Sequence, residues 1–250
     1  MKNKEIRYIH AESVHNFRAA KEVVPFILSL IKPKSVVDVG CGTGTWLKIF
    51  KDNGVEEVLG IDGDYVDRKL LKIDLDKFID YDLEKFYKSE KKYDLVISLE
   101  VAEHLSELSS DVFVETLSGL SDTLIFSAAI PNQGGQNHIN EQEPKYWISK
   151  FEKLGFILFD VLRPVFWDNQ NIDPWYRQNM LLFTRDINLI KKLESVENFK
   201  GKHLVHPELS KEKDNNLNYY KSQLERIYEG KKDGRFYLSL LFKVFKKKLG

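Results

Sequence analysis

At 250 residues the chain is long enough to bury a full core as one domain with a small appendage. Its 38 lysines and arginines balance 38 aspartates and glutamates, which argues against a broad non-specific nucleic-acid surface, and 42% hydrophobic with 30% charged residues is ordinary for a globular protein. No apolar run reaches membrane-spanning length, no leader-like segment is visible, and the single cysteine has no intramolecular partner, so a reducing cytoplasmic setting is expected.

The first periodic segment, residues 12–31, carries Val14, Phe17, Val23, Val24, Ile27 and Leu30 toward one side and is followed by Pro33, which predicts a helix. Residues 35–39 form a short apolar strand that runs into Gly40-Cys41-Gly42-Thr43-Gly44-Thr45. Alternating glycines after a strand let backbone N–H groups approach a ligand closely, and the helix they open adds its positive end. A dinucleotide loop needs G-x-G-x-x-G, whereas Thr45 stands where the third glycine would be, so NAD is disfavoured. The second strand, 57–61, ends at Asp62, about twenty residues beyond the glycines, where a carboxylate accepts both hydroxyls of a ribose.

Further strands are predicted at 77–80, before Asp82, and at 95–99, running into Glu100-x-x-Glu103-His104. A helix at 109–120 and a fifth strand at 123–128 follow, then a polar loop over 129–142, a helix at 145–154 and a closing strand pair at 156–162 and 180–184. This alternation predicts an α/β architecture around a mostly parallel sheet. The link 163–179 is too long for a hairpin and mixes Trp167, Trp175 and Tyr176 with arginines and side-chain amides. That mixture suits a carbohydrate or phosphate-bearing ligand, and equally a flap packed on the core.

The run 35–45, with Asp38 before its glycines, resembles motif I of class I S-adenosylmethionine-dependent methyltransferases, and the later strand ends match that family's motifs in order. Over residues 1–185 the chain resembles a bacterial group of these enzymes associated with surface-polysaccharide biosynthesis. The strings that carry this are GIDGDYV at 60–66, SLEVAEHL at 98–105, AIPNQGGQNHINEQ at 129–142 and WYRQN at 175–179. The resemblance implies a Rossmann-like class I methyltransferase sheet of seven strands, mostly parallel with an antiparallel last strand. It implies S-adenosylmethionine with its methionine end on Asp38, Gly40, Gly42 and Gly44, its ribose on Asp62 and its adenine near Asp82, with Cys41, Gly63, Leu83 and Leu99 beside them. The implied acceptor is an oxygen of a sugar, or of a phosphoryl or phosphoramidate substituent, on a capsule or lipopolysaccharide precursor.

Glu100, Glu103 and His104 follow one another at i, i+3 and i+4, so a helical turn after the strand can bring them together, and His138 in the next strand-end loop can complete the set. A similar pattern holds a divalent cation in small-RNA terminal 2′-O-methyltransferases, and its E-x-x-E-H half occurs in ubiquinone-pathway O-methyltransferases. Carboxylates and imidazoles with open positions suit Mg²⁺ or Mn²⁺ at Glu100, Glu103, His104 and His138. The alternative is metal-free: a Glu-His pair after the fourth strand is widespread in this family, and Glu103, His104 or His138 then serves acid-base chemistry. Two further readings are an RNA terminal 2′-O-methyltransferase and a regulator that binds S-adenosylmethionine without chemistry. His10, His15, His203 and His206 have weaker claims on the site.

Residues 186–250 fall outside the resemblance and form a basic helical extension. From Lys191 onward 15 lysines and arginines face 8 acids, and residues 236–248 read as a basic amphipathic stretch. It suits peripheral contact with the anionic inner face of a membrane, or packing on the body or on a second subunit of an oligomer.

Overall fold

The computed structural model describes residues 16–194, 196 and 201–249; His10, His15 and the start of the first predicted helix lie outside them. The chain divides into two compact units, 1–206 and 207–250.

In the first unit, helix α1 (Arg18–Leu30) buries Ala19, Ala20, Val23, Val24 and Ile27, whose spacing places them on one face. Seven strands follow: β1 (Ser35–Val39), β2 (Glu57–Asp62), β3 (Phe78–Asp80), β4 (Leu95–Leu99), β5 (Thr123–Ser127), β6 (Ile157–Phe159) and β7 (Leu181–Thr184). They form one sheet in the order β3-β2-β1-β4-β5-β7-β6. β1 to β5 pair in parallel, while β7 runs antiparallel to both β5 and β6. This is the expected class I methyltransferase sheet.

Successive strand residues feed opposite faces. In β1, Val36 joins one core while Val37 and Val39 join the other; in β4, Leu95 and Ile97 oppose Val96. Burial on both faces explains why these strands read as unbroken apolar runs. Each fully buried Val, Leu or Ile contributes about 1.5–3 kcal/mol. The first face is covered by α1, α2 (Thr45–Asp52) and α7 (Ile187–Leu193), the second by α3 (Ser110–Leu120) and α4 (Pro144–Lys153). Strand order reverses between β1 and β4, and ligand crevices in such sheets open beyond the carboxyl ends of strands at that point.

One expectation needs correction. The strand expected over 156–162 spans only Ile157–Phe159, because Asp160 and Arg163 form a fully buried ion pair and Leu162 already opens a helix. The link 163–179, to which the sequence pattern assigns no secondary structure, folds into α5 (Leu162–Phe166) and α6 (Pro174–Asn179). Residues beyond β7 also tie into this unit, since the Arg163 guanidinium donates to the Lys202 carbonyl at 2.9 Å.

The second unit is a pair of helices, α8 (Pro207–Tyr228) and α9 (Gly234–Leu249), joined through Gly230 at φ +69°. The Tyr237 hydroxyl donates to the Ile227 carbonyl at 2.8 Å and links the two. Among the described residues no helix is long and apolar enough to cross a membrane.

Candidate active site

The glycine loop leaves β1 in a conformation that excludes side chains. Gly40 sits at φ +85°, and a Cβ there would fall 2.3 Å from Cγ2 of Val101. Gly44, at φ +78°, ends the loop as the N-cap of α2. Asp62 at the end of β2 locks the loop in place: its Oδ2 accepts from the Gly42 N–H at 2.6 Å, and its Oδ1 accepts from the Gly63 N–H at 2.7 Å and the Tyr65 hydroxyl at 2.6 Å.

Asp38 is buried near it, and burial, reinforced by the charge of Asp62, holds its carboxyl well above the usual carboxylate range. Two acids next to a helix N-terminus make a cradle of mixed polarity. It matches a ligand with an ammonium, a sulfonium, a carboxylate and ribose hydroxyls. Burial, then Asp62 and Asp38, push the Cys41 thiol up as well, and a Cβ on Gly60 would meet its Sγ at 2.7 Å. Cys41 is therefore packed and protonated.

The acids after β3 differ in setting. Asp80, in register with Asp62, pairs with Arg68 at 3.0 Å. Asp82 is exposed two residues farther on, where it accepts from the Glu84 N–H at 3.1 Å and pairs with Lys85 at 3.1 Å. Leu83 and Leu99 are both buried within the two cores.

Beyond β4 the chain turns sharply. Glu100 has φ +56°, a conformation that costs a non-glycine residue about 1–3 kcal/mol, and its N–H is held by both the carbonyl and the hydroxyl of Ser127 at 3.0 Å. The turn delivers Ala102–His104 as a single 3-10 turn. The Glu100 carboxylate accepts from Gln133 Nε2 at 2.9 Å and Asn179 Nδ2 at 3.0 Å, and Gln178 bridges those two amides. Burial nevertheless raises Glu100 to about 7.

Glu103 is fully buried, and neither carboxylate oxygen has a hydrogen-bond partner among the described residues. Burial first, then the charge of Glu100, hold it well above the usual range, and nearby backbone at Glu103 and Ala129 offsets this only in part. Its own carbonyl accepts from the N–H groups of Ile139 at 2.9 Å and Asn140 at 3.0 Å, which pins the 129–142 loop onto the turn.

That pinning brings His138 to His104, with ring centroids 4.8 Å apart and edge to face. Burial, aided by His138, lowers His104 to about 4, so its imidazole is neutral. His138 Nδ1 lies 2.9 Å from Glu141 Oε1, and Glu141 is itself fixed by the N–H groups of Asn132 at 2.7 Å and Gly134 at 2.6 Å. A Cβ on Gly135 would strike His138 Nε2 at 2.2 Å, so glycine there leaves the ring its space.

One ligand atom each from Glu103, His104 and His138 lies within 4.8 Å of the others. Glu100, the fourth residue of the expected set, is held by amides instead. A buried carboxylate that no side-chain donor meets among the described residues, beside two imidazoles, fits a divalent cation, and the carboxylate behind His138 has the form of an outer-shell partner. Two imidazoles favour Mn²⁺ over Mg²⁺.

Gln133, Gln178, Asn179 and Glu141 were not singled out from sequence, although all lie in amide-rich strings quoted for the resemblance. The aromatics of the 163–179 link pack on the body: Trp167 meets His206 with tilted rings at 4.7 Å, and Tyr176 meets Trp46 of α2 edge-on at 5.3 Å. His203 pairs with Glu143, and His206 Nε2 lies 2.9 Å from the Trp167 carbonyl. Neither histidine joins the cluster.

Residues 12–120 match the protein-family model described as a methyltransferase domain. No curated protein matches the chain in sequence. Among solved structures, the sugar N-methyltransferase KedS8 from Streptoalloteichus sp ATCC 53650 superposes with a TM-score of 0.54 at 12% identity, covering 72% of this chain and 96% of that one. DesVI from Streptomyces venezuelae does so with a TM-score of 0.52 at 11% identity, over 71% and 99% of the two chains. The methyltransferase domain of the bacterial protein CtHen1-C gives 0.50 at 21% identity, over 67% and 97%. With the glycine cradle, the paired acids and the sheet order, the domain match over residues 12–120 identifies the activity as S-adenosylmethionine-dependent methyl transfer.

Proposed function

We propose that the enzyme methylates an oxygen of a sugar, or of a phosphoryl or phosphoramidate substituent, on a capsule or lipopolysaccharide precursor in the cytoplasm, with a divalent cation held by Glu103, His104 and His138. The observation that carries the metal is the Glu103 carboxylate, fully buried, met by no side-chain donor among the described residues, and grouped with two imidazoles. The acceptor class rests on the strings at 129–142 and 175–179, both of which converge on the Glu100 network.

In this reading S-adenosylmethionine supplies an electrophilic methyl carbon and the cation supplies Lewis acidity at the acceptor oxygen. Asp38 and the glycine loop would hold the methionine end, and Asp62 with Gly63 would hold the ribose. Asp82 and Leu83 border the adenine, and Leu99 backs the cofactor from the end of β4. Gln133, Gln178 and Asn179 fix Glu100 and close the floor between the two strand-end loops. Displacement at a methyl carbon needs alignment and loss of one proton, and these residues supply the alignment.

Burial keeps the His104 imidazole neutral, the form that ligates a cation. The His138–Glu141 contact at 2.9 Å supports a second, metal-free reading, with His138 as a base oriented by Glu141.

Labelled S-adenosylmethionine incubated with pools of nucleotide-sugars, extracted glycans and RNA, with and without chelator, tests both. Label in a glycan fraction, lost on chelation and restored by Mn²⁺, is the expected result. Label in RNA would replace the acceptor, chelator-resistant turnover would replace the metal, and binding without turnover in any pool would leave a regulator.

A further inference from the structure

The second unit contains a helix whose chemistry the methyl-transfer site does not use. Along α9, Leu238, Leu241, Phe242 and Phe245 recur at i, i+3, i+4 and i+7, which places them on one face, and they are 68%, 55%, 74% and 63% exposed. Arg235, Ser239 and Lys243 mark a separate stripe at spacings of four. The segment 234–250 contains no acid, and Lys246, Lys247 and Lys248 add to its positive charge. α8 is the opposite case: Glu208, Glu212 and Asp214 alternate with Lys211 and Lys213, as on a solvated helix.

A bare apolar face next to charge of one sign is complementary to a surface that is anionic outside and apolar beneath. A bilayer leaflet with acidic headgroups has that profile. The helix has 16 residues and is about 24 Å long, short of the roughly 30 Å hydrocarbon core, and it is not apolar enough to span. We propose that α9 lies in the plane of an anionic membrane surface, with Leu238, Leu241, Phe242 and Phe245 inserted among the acyl chains and its cations at the headgroups. The proposal does not depend on the identity of the methyl acceptor.

Co-sedimentation of the full chain with vesicles tests it, comparing phosphatidylcholine alone with the same lipid containing about 30% phosphatidylglycerol. Binding to the anionic vesicles only, weakened by salt that screens charges beyond a few ångströms, is expected. Replacing two cations, Arg235→Gln with Lys243→Gln, should lower partitioning roughly 30-fold, since each contributes about a factor of five near such a surface. Leu241→Asp with Phe245→Asp should abolish binding while leaving S-adenosylmethionine affinity and helix content unchanged. Absence of wild-type binding, equal binding to both vesicle types, or binding indifferent to these substitutions would overturn the proposal. So would a concentration-dependent dimer that the aspartate pair dissolves in the absence of lipid binding, which would assign the face to a second copy of the chain.

Discussion

Asp62 is the residue on which the cofactor cradle depends most directly, and its removal has a consequence that can be worked through. Its carboxylate accepts three hydrogen bonds, two from the backbone N–H groups of Gly42 and Gly63 and one from Tyr65. Tyr65 is 38% exposed, so its hydroxyl turns to water when the acid is removed and little is lost. Gly42 is buried, and its N–H donates to Asp62, so loss of that acceptor costs about 1–3 kcal/mol; the half-buried Gly63 N–H adds a part of that. Asp38 gains in return, because the charge of Asp62 is one of the causes that raise its carboxyl. The net expectation for Asp62→Ala is a loss of about 2–3 kcal/mol in stability, a fall in Tm of roughly 4–12 °C for a unit of this size. Removing the acceptor of the ribose hydroxyls should weaken S-adenosylmethionine by a further 1–3 kcal/mol, about 5- to 150-fold in Kd. Thermal melting and titration calorimetry read the two separately. A variant with wild-type Tm and wild-type affinity would refute both the locking role of Asp62 and its assignment to the ribose.

Gly40→Ala should be more damaging than its size suggests, by about 3 kcal/mol or more, because the new Cβ meets Val101 at 2.3 Å in a left-handed conformation; Val101→Ala should restore only the steric part, as equilibrium unfolding of the single and double variants will show. If Glu103, His104 and His138 hold a cation, Mn²⁺ at about a hundred times its Kd should stabilise the protein by about 2.7 kcal/mol in thermal melts, and Glu103→Ala should abolish the effect. Glu141→Gln should weaken that cation by about 10- to 100-fold with S-adenosylmethionine affinity unchanged, whereas equal weakening of both ligands would reduce Glu141 to a loop brace. Cys41, held protonated by burial and two nearby acids, should resist alkylation at about pH 8 in the native protein and react on unfolding; rapid native labelling would contradict its packing.

β1, β4 and β5 were legible because each is an apolar run buried on both faces, and β2 and the half-buried β3 because an acid closes each. β6 was overextended because Val161 and Leu162 continue the apolar pattern, while the event that ends the strand, the pairing of Asp160 with Arg163, takes place in three dimensions. The two short helices between β6 and β7 were missed although Pro174 stands in the first turn of α6, where proline commonly starts a helix. The cluster of Glu103, His104 and His138 could be anticipated from strand-end logic alone. Asn179 could not, since it meets Glu100 across 79 positions of chain, and only the antiparallel return of β7 brings it there.

The donor set is split between two segments: Glu103 and His104 ride on the turn after β4, His138 on the loop after β5. Close to His138 the loop is clipped down by the Glu103 carbonyl, which serves two neighbouring amides, while Gln133 ties its start to Glu100. Were the loop to lift, both bonds would break together and His138 would leave its partners in the same movement. Site assembly and site access would then be one event: ligands would enter and leave while the donor set is dismantled, and the protons on the Ile139 and Asn140 amides would exchange with solvent at the rate at which the site opens.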